Sequence, residues 1–173
     1  MNINKQTVGI VKKLLDIKME GALIIHPTVQ YEERDTYQDI IQEENKHIFL
    51  GNIQSRKYVI QENIEWVIEI LSKNEYGLPL PNNVRIYRYE FEDNRHNDII
   101  RWIEEIIPVI RHETGNGLIH CREGRSRSAT ILIAYIMKYY NKTYDDAIEY
   151  VRTKRPIVKP NPGFERQLRM IQL

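Results

Sequence analysis

The amino-acid sequence predicts one α/β domain in which helices flank a largely parallel sheet. Two short apolar segments, 47–51 and 64–71, have the composition of buried strands, and segment 129–140 is apolar on nearly every face, as a core helix is. Predicted strands and helices alternate along the chain, which is the pattern of parallel β-α-β layers. The length of 173 residues suits one compact domain rather than two.

The first part of the chain is predicted to contain an amphipathic helix and a polar loop. Residues 4–20 place apolar side chains at helical intervals. Residues 27–46 are polar and acidic, so we expect a loop there, with room for a short helix. The apolar segment 47–51 ends in a glycine and forms the first predicted strand.

The middle of the chain is predicted to hold two strands and a helix that contains proline. Segment 64–71 is rich in β-branched residues and fits a buried strand, although a helix fits the same short pattern. The glycine and prolines of 74–83 are typical of a loop, and 84–91 alternates as a strand does. Asn97 is expected to cap the next helix, and Pro108 should kink that helix or mark its restart.

Turn and cap residues divide the last third of the chain. Gly115 and Gly117 are expected to end the helix, residues 118–121 to form a short strand, and residues 122–126 to form a loop before the core helix. A turn is predicted at Asn141, and Thr143 with Asp146 forms a capping box for a helix at 144–154. A last helix is predicted to begin at Asn161 and Pro162. Its buried face consists of Phe164, Leu168 and Ile171.

The overall charge and composition exclude several classes of protein. The 25 basic and 24 acidic side chains nearly cancel, so no global field favours nucleic acid, and we expect no nucleic-acid partner. The longest apolar stretch, 131–137, is too short to span a bilayer, and lysines interrupt the first twenty residues, where a signal peptide needs an apolar core. One cysteine allows no intrachain disulfide. We therefore expect a cytoplasmic protein without a membrane anchor.

Segment 120–128, His-Cys-Arg-Glu-Gly-Arg-Ser-Arg-Ser, carries the most chemical information. It lies between a predicted buried strand and a buried helix, where open α/β sheets bind ligands. Backbone N–H groups at the start of a helix, together with the helix dipole, form a cradle for a phosphate dianion. Gly124 permits a backbone geometry that side chains disfavour. Arg127 can bind two phosphate oxygens at once, which a lysine cannot.

Cys121 is predicted to lie at the base of this cradle. The positive surroundings that attract phosphate also favour a thiolate, with support from His120. A thiolate beneath a bound phosphate is aligned for in-line attack, which gives a phosphocysteine. A buried structural thiol is the alternative, but it explains neither Arg127 nor the glycine and hydroxyl groups around it.

The spacing Cys-x5-Arg resembles the phosphate-binding loop of protein tyrosine phosphatases, and the string HCREGRSRSAT at 120–130 resembles the small, atypical dual-specificity branch. The resemblance covers residues 47–172 and implies a single-domain fold with a central, mostly parallel sheet flanked by helices. Residues 47–173 are then the catalytic domain, and 1–46 a helix and loop extension. Other matching segments are Leu50-Gly51, Val151-Arg152, Arg155-Pro156, Asn161-Pro162 with Phe164, and Gln167-Leu168. The richness in Ile, Asn, Lys and Tyr is typical of AT-rich genomes, viral genomes included.

The resemblance also implies roles for individual residues. A general acid is expected just after the strand that precedes the proline-containing helix, and Asp93 matches that position. Asp98 is expected in the first helical turn instead. After the first step Asp93 would act as a base on the hydrolytic water, and Ser128 would hydrogen-bond the departing thiolate. Glu90 and Glu92 are the other acidic candidates near Asp93. The implied phosphate-binding residues are Arg122, Glu123, Gly124, Arg125, Ser126 and Arg127.

Arg122 and Arg125 have two interpretations. They form either a basic rim that selects anionic substrates or solvated loop charges that Glu123 partly offsets. The solvated interpretation is favoured, because exposed charges usually contribute little.

The expected activity is hydrolysis of phosphotyrosine and of phosphoserine or phosphothreonine in proteins, with no metal and no cofactor. Tyrosine-specific relatives are longer and deepen their pocket with an added loop, so the short chain supports dual specificity. Three alternatives stay open: a phosphoinositide or phosphatidylglycerophosphate phosphatase, an RNA 5′-triphosphatase, which does without the acid, and a non-catalytic phosphoprotein-binding module. The expected partners are phosphoproteins. The protein is expected as a monomer, or as a homodimer whose N-terminal helix exchanges between subunits as in some small viral relatives.

Overall fold

Five strands form one sheet in the computed structural model, which describes residues 36–171. The order across the sheet is β1-β2-β5-β3-β4, with β1 antiparallel to β2 and all other neighbouring strands parallel. The predicted α/β class with a mostly parallel central sheet is therefore confirmed. The strands are β1 Tyr37–Glu43, β2 Lys46–Gly51, β3 Ile64–Leu71, β4 Arg85–Glu90 and β5 Asn116–His120.

Four α-helices and one 3-10 helix complete the described fold. The 3-10 helix, Ile53–Tyr58, follows β2 directly. The α-helices are α1 Ile100–His112, α2 Arg127–Tyr139, α3 Tyr144–Lys154 and α4 Pro162–Met170. No helix within 36–171 has the length and apolar composition to cross a membrane.

Helix α2 is the centre of the core. Every residue from Arg127 to Met137 is buried, and the helix packs against α1, α3 and α4. The inner strand β3 is apolar on both faces: Trp66 and Ile68 join the core beside the helices, whereas Val67 joins a smaller cluster on the opposite face. Burial on both faces explains why the sequence of β3 is continuously apolar. Its neighbour β5 is the middle strand of the sheet.

The loop that was expected over 27–46 is wrong for its last part, because residues 37–43 form the edge strand β1. Only Ile40 and Ile41 of this strand are buried, next to an irregularity in its register with β2. An edge strand with four polar residues and a bulge gives no alternating pattern, which is why composition favoured a loop. The helix expected at 4–20 lies outside the described residues.

Helix α1 begins later than predicted. Asn97 does not cap it; its side-chain Nδ2 donates to the carbonyl of Glu92 at 2.7 Å. The first helical residue is Ile100, whose N–H donates to Asp98 Oδ1 at 2.9 Å. The helix runs through Pro108 without a restart.

The caps of the last two helices and the turn between α2 and α3 are confirmed. Thr143 Oγ1 accepts the N–H of Asp146 at 3.2 Å, and α3 spans the predicted residues. Asn161 Oδ1 accepts two N–H groups of the first turn of α4, each at 3.0 Å. Asn141 takes a positive φ of 50° at its turn. Gly117, expected to end α1, lies instead inside β5.

Candidate active site

The loop 121–126 connects the central strand β5 to the start of α2, and its carbonyl groups are held by donors outside the loop. Five successive carbonyls each accept a hydrogen bond. Arg122 O accepts from Ile53 N–H at 3.1 Å, Glu123 O from Arg155 Nη2 at 3.3 Å, Gly124 O from Arg155 Nε at 2.9 Å, Arg125 O from Lys159 N–H at 2.9 Å, and Ser126 O from Thr130 N–H at 2.8 Å.

This arrangement fixes the direction of the amide groups. In a trans peptide the C=O and the following N–H lie on opposite sides, and residues 36–171 contain no cis peptide bond. Carbonyls that face the scaffold therefore direct the N–H groups of 123–127 towards the concave side of the loop. Successive N–H groups that converge in this way form an anion-binding concavity. The predicted phosphate-binding segment thus has the backbone orientation that the prediction requires.

Gly124 makes the curvature of the loop possible. Its φ is +64°, in the left-handed region, and a Cβ on it would lie 2.3 Å from the carbonyl oxygen of Gly51. The N–H of Gly124 points to the sulfur of Cys121 at 3.2 Å. Any side chain at 124 would therefore strain the backbone and push the loop away from β2.

The sulfur of Cys121 lies at the base of the concavity and accepts two hydrogen bonds. One comes from the Gly124 N–H, and the other comes from Ser128 Oγ at 3.1 Å. The cysteine is 2% exposed and lines the cavity described below. Two donors directed at one sulfur stabilise negative charge on it. The structure therefore brings Ser128 to the position that the resemblance implied.

Arg127 is the first residue of α2, and its guanidinium is buried beside the loop. Nη1 donates to Ser72 Oγ at 3.0 Å and to Glu75 Oε2 at 2.8 Å, while Nη2 donates to Glu75 Oε1 at 3.3 Å. Nε is buried and has no hydrogen-bond partner among the described residues. Burial alone would lower the pKa of Arg127, but the hydrogen bond from Arg127 to Glu75 and the negative charges of Cys121, Glu75 and Asp93 together outweigh burial, and the net pKa is raised. The arginine stays charged, with one edge free for an anion.

Glu75 is a site residue that sequence analysis missed. It lies in the loop after β3, and no local motif distinguishes it from the other polar residues there. Burial opposes its ionisation, but the hydrogen bonds from Arg127 and the Ser72 N–H, together with the charges of Arg127 and Arg122, outweigh burial and hold the pKa of this carboxyl below its usual value. Arg122, half exposed, lies 3.7 Å from the same carboxylate. Glu75 is therefore an anion that orients two arginines at the edge of the cavity.

Asp93 contacts both the loop and the start of α4. Its Oδ1 accepts from Ser126 Oγ at 2.7 Å and from Asn161 Nδ2 at 2.6 Å, and the N–H of Asn161 donates to Ser126 Oγ at 3.0 Å. Asp98 is bound instead to the start of α1. The structure thus brings Asp93, and not Asp98, to the loop. Sequence analysis identified Asn161 only as a helix cap and missed its contact with the acid.

A cavity of about 490 Å³ opens above the loop, which is within the size range of small-ligand sites. Arg125 and Glu123 are exposed residues of its lining, whereas Gly124 and Ser128 are buried and do not line it. The lining residues are Ser72, Glu75, Glu92, Asp93, Cys121, Arg122, Glu123, Arg125, Ser126, Arg127, Lys159, Pro160, Asn161 and Pro162.

The ring of His120 contacts the loop at the carbonyl oxygen of Cys121 and not at the sulfur. Its ring is fully buried, and Nε2 faces the Nε–H of Arg56 at 3.2 Å. Because Arg56 can only donate, Nε2 is the acceptor and the proton is on Nδ1, which faces Cys121 O at 3.3 Å. Burial and then the charge of Arg56 lower the pKa of His120 to about 3, so the ring is neutral.

The family model and the similar curated proteins all point to one family, that of phosphatases. Residues 48–172 match the model described as the dual specificity phosphatase catalytic domain. Protein 123R of Invertebrate iridescent virus 6, which carries the name of a tyrosine phosphatase, is 34% identical over 127 residues, which are 71% of this chain and 85% of that protein. Human dual specificity protein phosphatase 15 is 35% identical over 70% of this chain, but the match covers only 42% of that longer protein.

Solved structures show the same fold. The crystal structure of dual specificity phosphatase 15 aligns with a TM-score of 0.67 and 28% identity, covering 79% of this chain and 86% of that one. The human tyrosine phosphatase-like serine/threonine/tyrosine-interacting protein aligns with a TM-score of 0.70 and 28% identity, covering 79% and 95% of the two chains.

Replacing Gly124 by alanine is expected to lower both the stability of the protein and its affinity for anions. The positive φ and the contact with Gly51 O should together lower the free energy of unfolding by more than about 2 kcal/mol and weaken anion binding. Gly115→Ala is the matched control, because its φ is +71° but the three atoms nearest to the new Cβ all belong to the side chain of Glu65 rather than to the backbone. Urea denaturation and inhibition by orthovanadate measure both effects. Equal losses of vanadate affinity in the two variants would contradict the prediction.

The buried neutral His120 predicts acid sensitivity. Its pKa is about 3 when folded and 6.5 when exposed, so the unfolded chain binds an extra proton between these values and the fold loses stability as the pH falls below 6.5. From pH 6.5 to 5.0 this group should remove about 1.5–2 kcal/mol, a range above the titration of carboxylates. Urea denaturation should show that His120→Gln removes this slope, whereas replacing the exposed His112 preserves it. If the free energy of unfolding of the wild-type protein stays constant as the pH falls below 6.5, His120 is not the buried neutral group that the structure shows.

Proposed function

Because the chain belongs to the family of dual specificity phosphatases, which are cysteine-dependent protein phosphatases, we propose that it removes phosphate from phosphotyrosine and from phosphoserine or phosphothreonine in proteins. The family match covers 48–172, and the viral relative is matched over most of its length. The observation that carries the proposal is the sulfur of Cys121 at the base of a loop whose carbonyls all face outward.

The inward N–H groups and Arg127 supply the charge that a phosphate dianion needs. The free Nε edge of Arg127 and the amides of 123–127 would bind the three non-bridging oxygens, while Glu75 keeps its hold on the opposite edge. These fixed positive groups are also directed at the charge of the transition state, which is the largest contribution in phosphoryl transfer. No metal ion or cofactor is needed for this charge balance.

In the first step, the thiolate of Cys121 attacks phosphorus opposite the leaving oxygen. The S–P bond forms as the P–O bond to the substrate breaks, and Asp93 gives its proton to the departing oxygen. The hydrogen bonds from Ser126 and Asn161 hold one carboxyl oxygen of Asp93, which leaves the other oxygen for the proton. The product of this step is a phosphocysteine and a free hydroxyl on the substrate.

In the second step, water cleaves the S–P bond. Asp93, now a carboxylate, takes a proton from the attacking water, and inorganic phosphate leaves. The departing thiolate accepts hydrogen bonds from Ser128 Oγ and the Gly124 N–H, the two donors already directed at sulfur. Ser128 therefore assists the step in which sulfur is the leaving group.

The same proposal includes phosphoprotein substrates and a cytoplasmic location. It also includes a monomer, or a homodimer whose N-terminal helix exchanges between subunits. The viral relative is named as a tyrosine phosphatase and the human relative as a dual specificity protein phosphatase, which supports the choice of protein over lipid or RNA. The exposed charged rim of Arg122, Glu123 and Arg125 can contact residues beside the phosphorylated side chain of a protein.

Cys121→Ser is expected to abolish turnover and retain binding. Loss of the nucleophile should lower the hydrolysis of para-nitrophenyl phosphate by more than about a thousandfold, while the cradle still binds phosphopeptides. Calorimetry with phosphotyrosine and phosphothreonine peptides measures the binding, and release of inorganic phosphate measures turnover. Retained hydrolysis in this variant would refute the mechanism. Wild-type turnover of phosphoinositide vesicles or of triphosphate-ended RNA above that of phosphopeptides would refute the substrate class.

Asp93→Asn is expected to slow hydrolysis by an amount that depends on the leaving group of the substrate. Phenyl phosphate and phosphopeptides, which need a protonated leaving oxygen, should lose roughly 10²–10⁴-fold in kcat, and para-nitrophenyl phosphate much less. Asp98→Asn, which changes only the cap of α1, serves as the control and should retain wild-type kcat. Steady-state kinetics at several pH values measure both variants. Equal effects on activated and unactivated esters would contradict the role of Asp93 as the acid.

A further inference from the structure

A buried charged cluster lies directly behind the loop of the active site, on the side away from the cavity. Arg56 of the 3-10 helix is 5% exposed, Glu69 of β3 is 5% exposed and His120 of β5 is fully buried. Arg56 Nη2 donates to Glu69 Oε2, and Arg88 of β4 pairs with the other oxygen of the same carboxylate. None of these three buried side chains lines the cavity.

The guanidinium of Arg56 binds in three directions. Nε donates to Nε2 of His120 at 3.2 Å, Nη2 donates to Glu69, and Nη1 donates to the carbonyl of Leu78. The first of these bonds determines which nitrogen of His120 carries the proton, because arginine cannot accept. The Nδ1–H is thereby directed at the carbonyl of Cys121.

The bond to Leu78 reaches the loop that carries Glu75. This loop, residues 74–83, has no regular secondary structure, and Gly77 lies against the Arg56 guanidinium so closely that a Cβ there would be 2.6 Å from its atoms. Glu75 in turn binds Arg127 through both terminal nitrogens. Arg56 therefore contacts both His120, which directly precedes the phosphate-binding loop, and the 74–83 segment, whose Glu75 orients Arg127.

We propose that Arg56 is a positioning residue for phosphoryl transfer, which holds His120 in the Nδ1–H tautomer and anchors the Glu75 loop. Through His120 it fixes the carbonyl of Cys121, and hence the peptide group between Cys121 and Arg122, at the start of the loop whose N–H groups at 123–127 form the cradle. Through Leu78 it sets where Glu75 meets Arg127. This role deepens the proposed function and rests on it.

The burial of this cluster argues for a role beyond stability. Apolar side chains of similar volume usually stabilise a core at least as well as a buried ion pair does. Glu69 is shared between Arg56 and Arg88, and the remaining donors of the Arg56 guanidinium bind His120 and the 74–83 loop, so this one buried side chain links two segments that border the active site. The depressed pKa of His120 agrees with a ring kept neutral by burial and by this arginine. A neutral ring with one fixed donor is what the Cys121 carbonyl requires.

The wild-type protein tests the geometry without any turnover. With ¹⁵N-labelled histidine, the ring nitrogens of His120 should show a protonated Nδ1 and an unprotonated Nε2 from pH 5 to 8, assigned by comparison with His120→Gln. A proton on Nε2, or a ring that titrates in this range, would overturn the proposal whatever the enzyme activity is. Absence of phosphatase activity in the wild type would refute the proposed function instead.

Arg56→Gln tests the consequence for catalysis. We expect kcat for para-nitrophenyl phosphate to fall roughly 10- to 100-fold with little change in KM, and the inhibition constant of orthovanadate to rise by a similar factor. Arg56→Lys should not restore either value, since one ammonium cannot span His120, Glu69 and Leu78. Rescue by lysine, or wild-type kcat in a folded Arg56→Gln protein, would refute positioning.

Arg88→Gln is the matched control, because Arg88 binds the same carboxylate but is exposed and contacts neither His120 nor the 74–83 loop in the described hydrogen bonds. It should keep wild-type kcat and the wild-type His120 spectrum. If Arg56→Gln leaves Glu69 uncompensated and fails to fold, Arg56→Gln/Glu69→Gln removes both charges and is measured in its place. A folded double variant with wild-type kcat and vanadate inhibition would contradict the proposal.

Discussion

The outward direction of the carbonyls in 121–126 is the constraint on which the rest of the site depends. An anion-binding loop needs its amides to converge, and a chain alone has no reason to keep that strained arrangement. Here the donors come from widely separated parts of the sequence: the 3-10 helix at Ile53, the end of α3 at Arg155, and the segment before α4 at Lys159. The fold thus prepares the amide cradle before any phosphate is bound, and the reaction bears no reorganisation cost for it.

Electrostatics at the site are local, as a chain with a net charge of +1 requires. Positive groups converge on the concave side of the loop, and carboxylates lie just outside it. Glu75 stabilises Arg127 in a buried position without occupying its Nε edge, so the guanidinium is held in place yet keeps a donor for the substrate. Paired charges of this kind avoid the large desolvation penalty of a lone buried cation. The same pairing lets a nearly neutral protein concentrate positive charge in one place.

The sequence predicted the parts of the site that are contiguous. The strand, loop and helix around Cys121 share one short segment, in which glycine, serine and arginine follow from local backbone needs, and Asp93 lies next to a recognisable strand. What it could not predict were contacts between distant segments. Glu75 and Arg56 are polar residues without a local pattern, and only the fold brings them to Arg127 and His120. Strand β1 was missed for a related reason, because an edge strand can be polar and irregular when its partner β2 supplies the pairing.

Similarity of fold does not by itself separate catalysis from binding in this family. A tyrosine phosphatase-like interacting protein aligns with this chain at least as well as a dual specificity phosphatase does. The distinction must therefore come from the reacting groups, since both activities use the same phosphate cradle. In this chain the sulfur of Cys121 accepts two hydrogen bonds, Ser128 is in place for its departure, and Asp93 is held at the loop by Ser126 and Asn161. A binding module needs none of these three features, because it needs only the amides and the arginine. Their joint presence is what favours an enzyme.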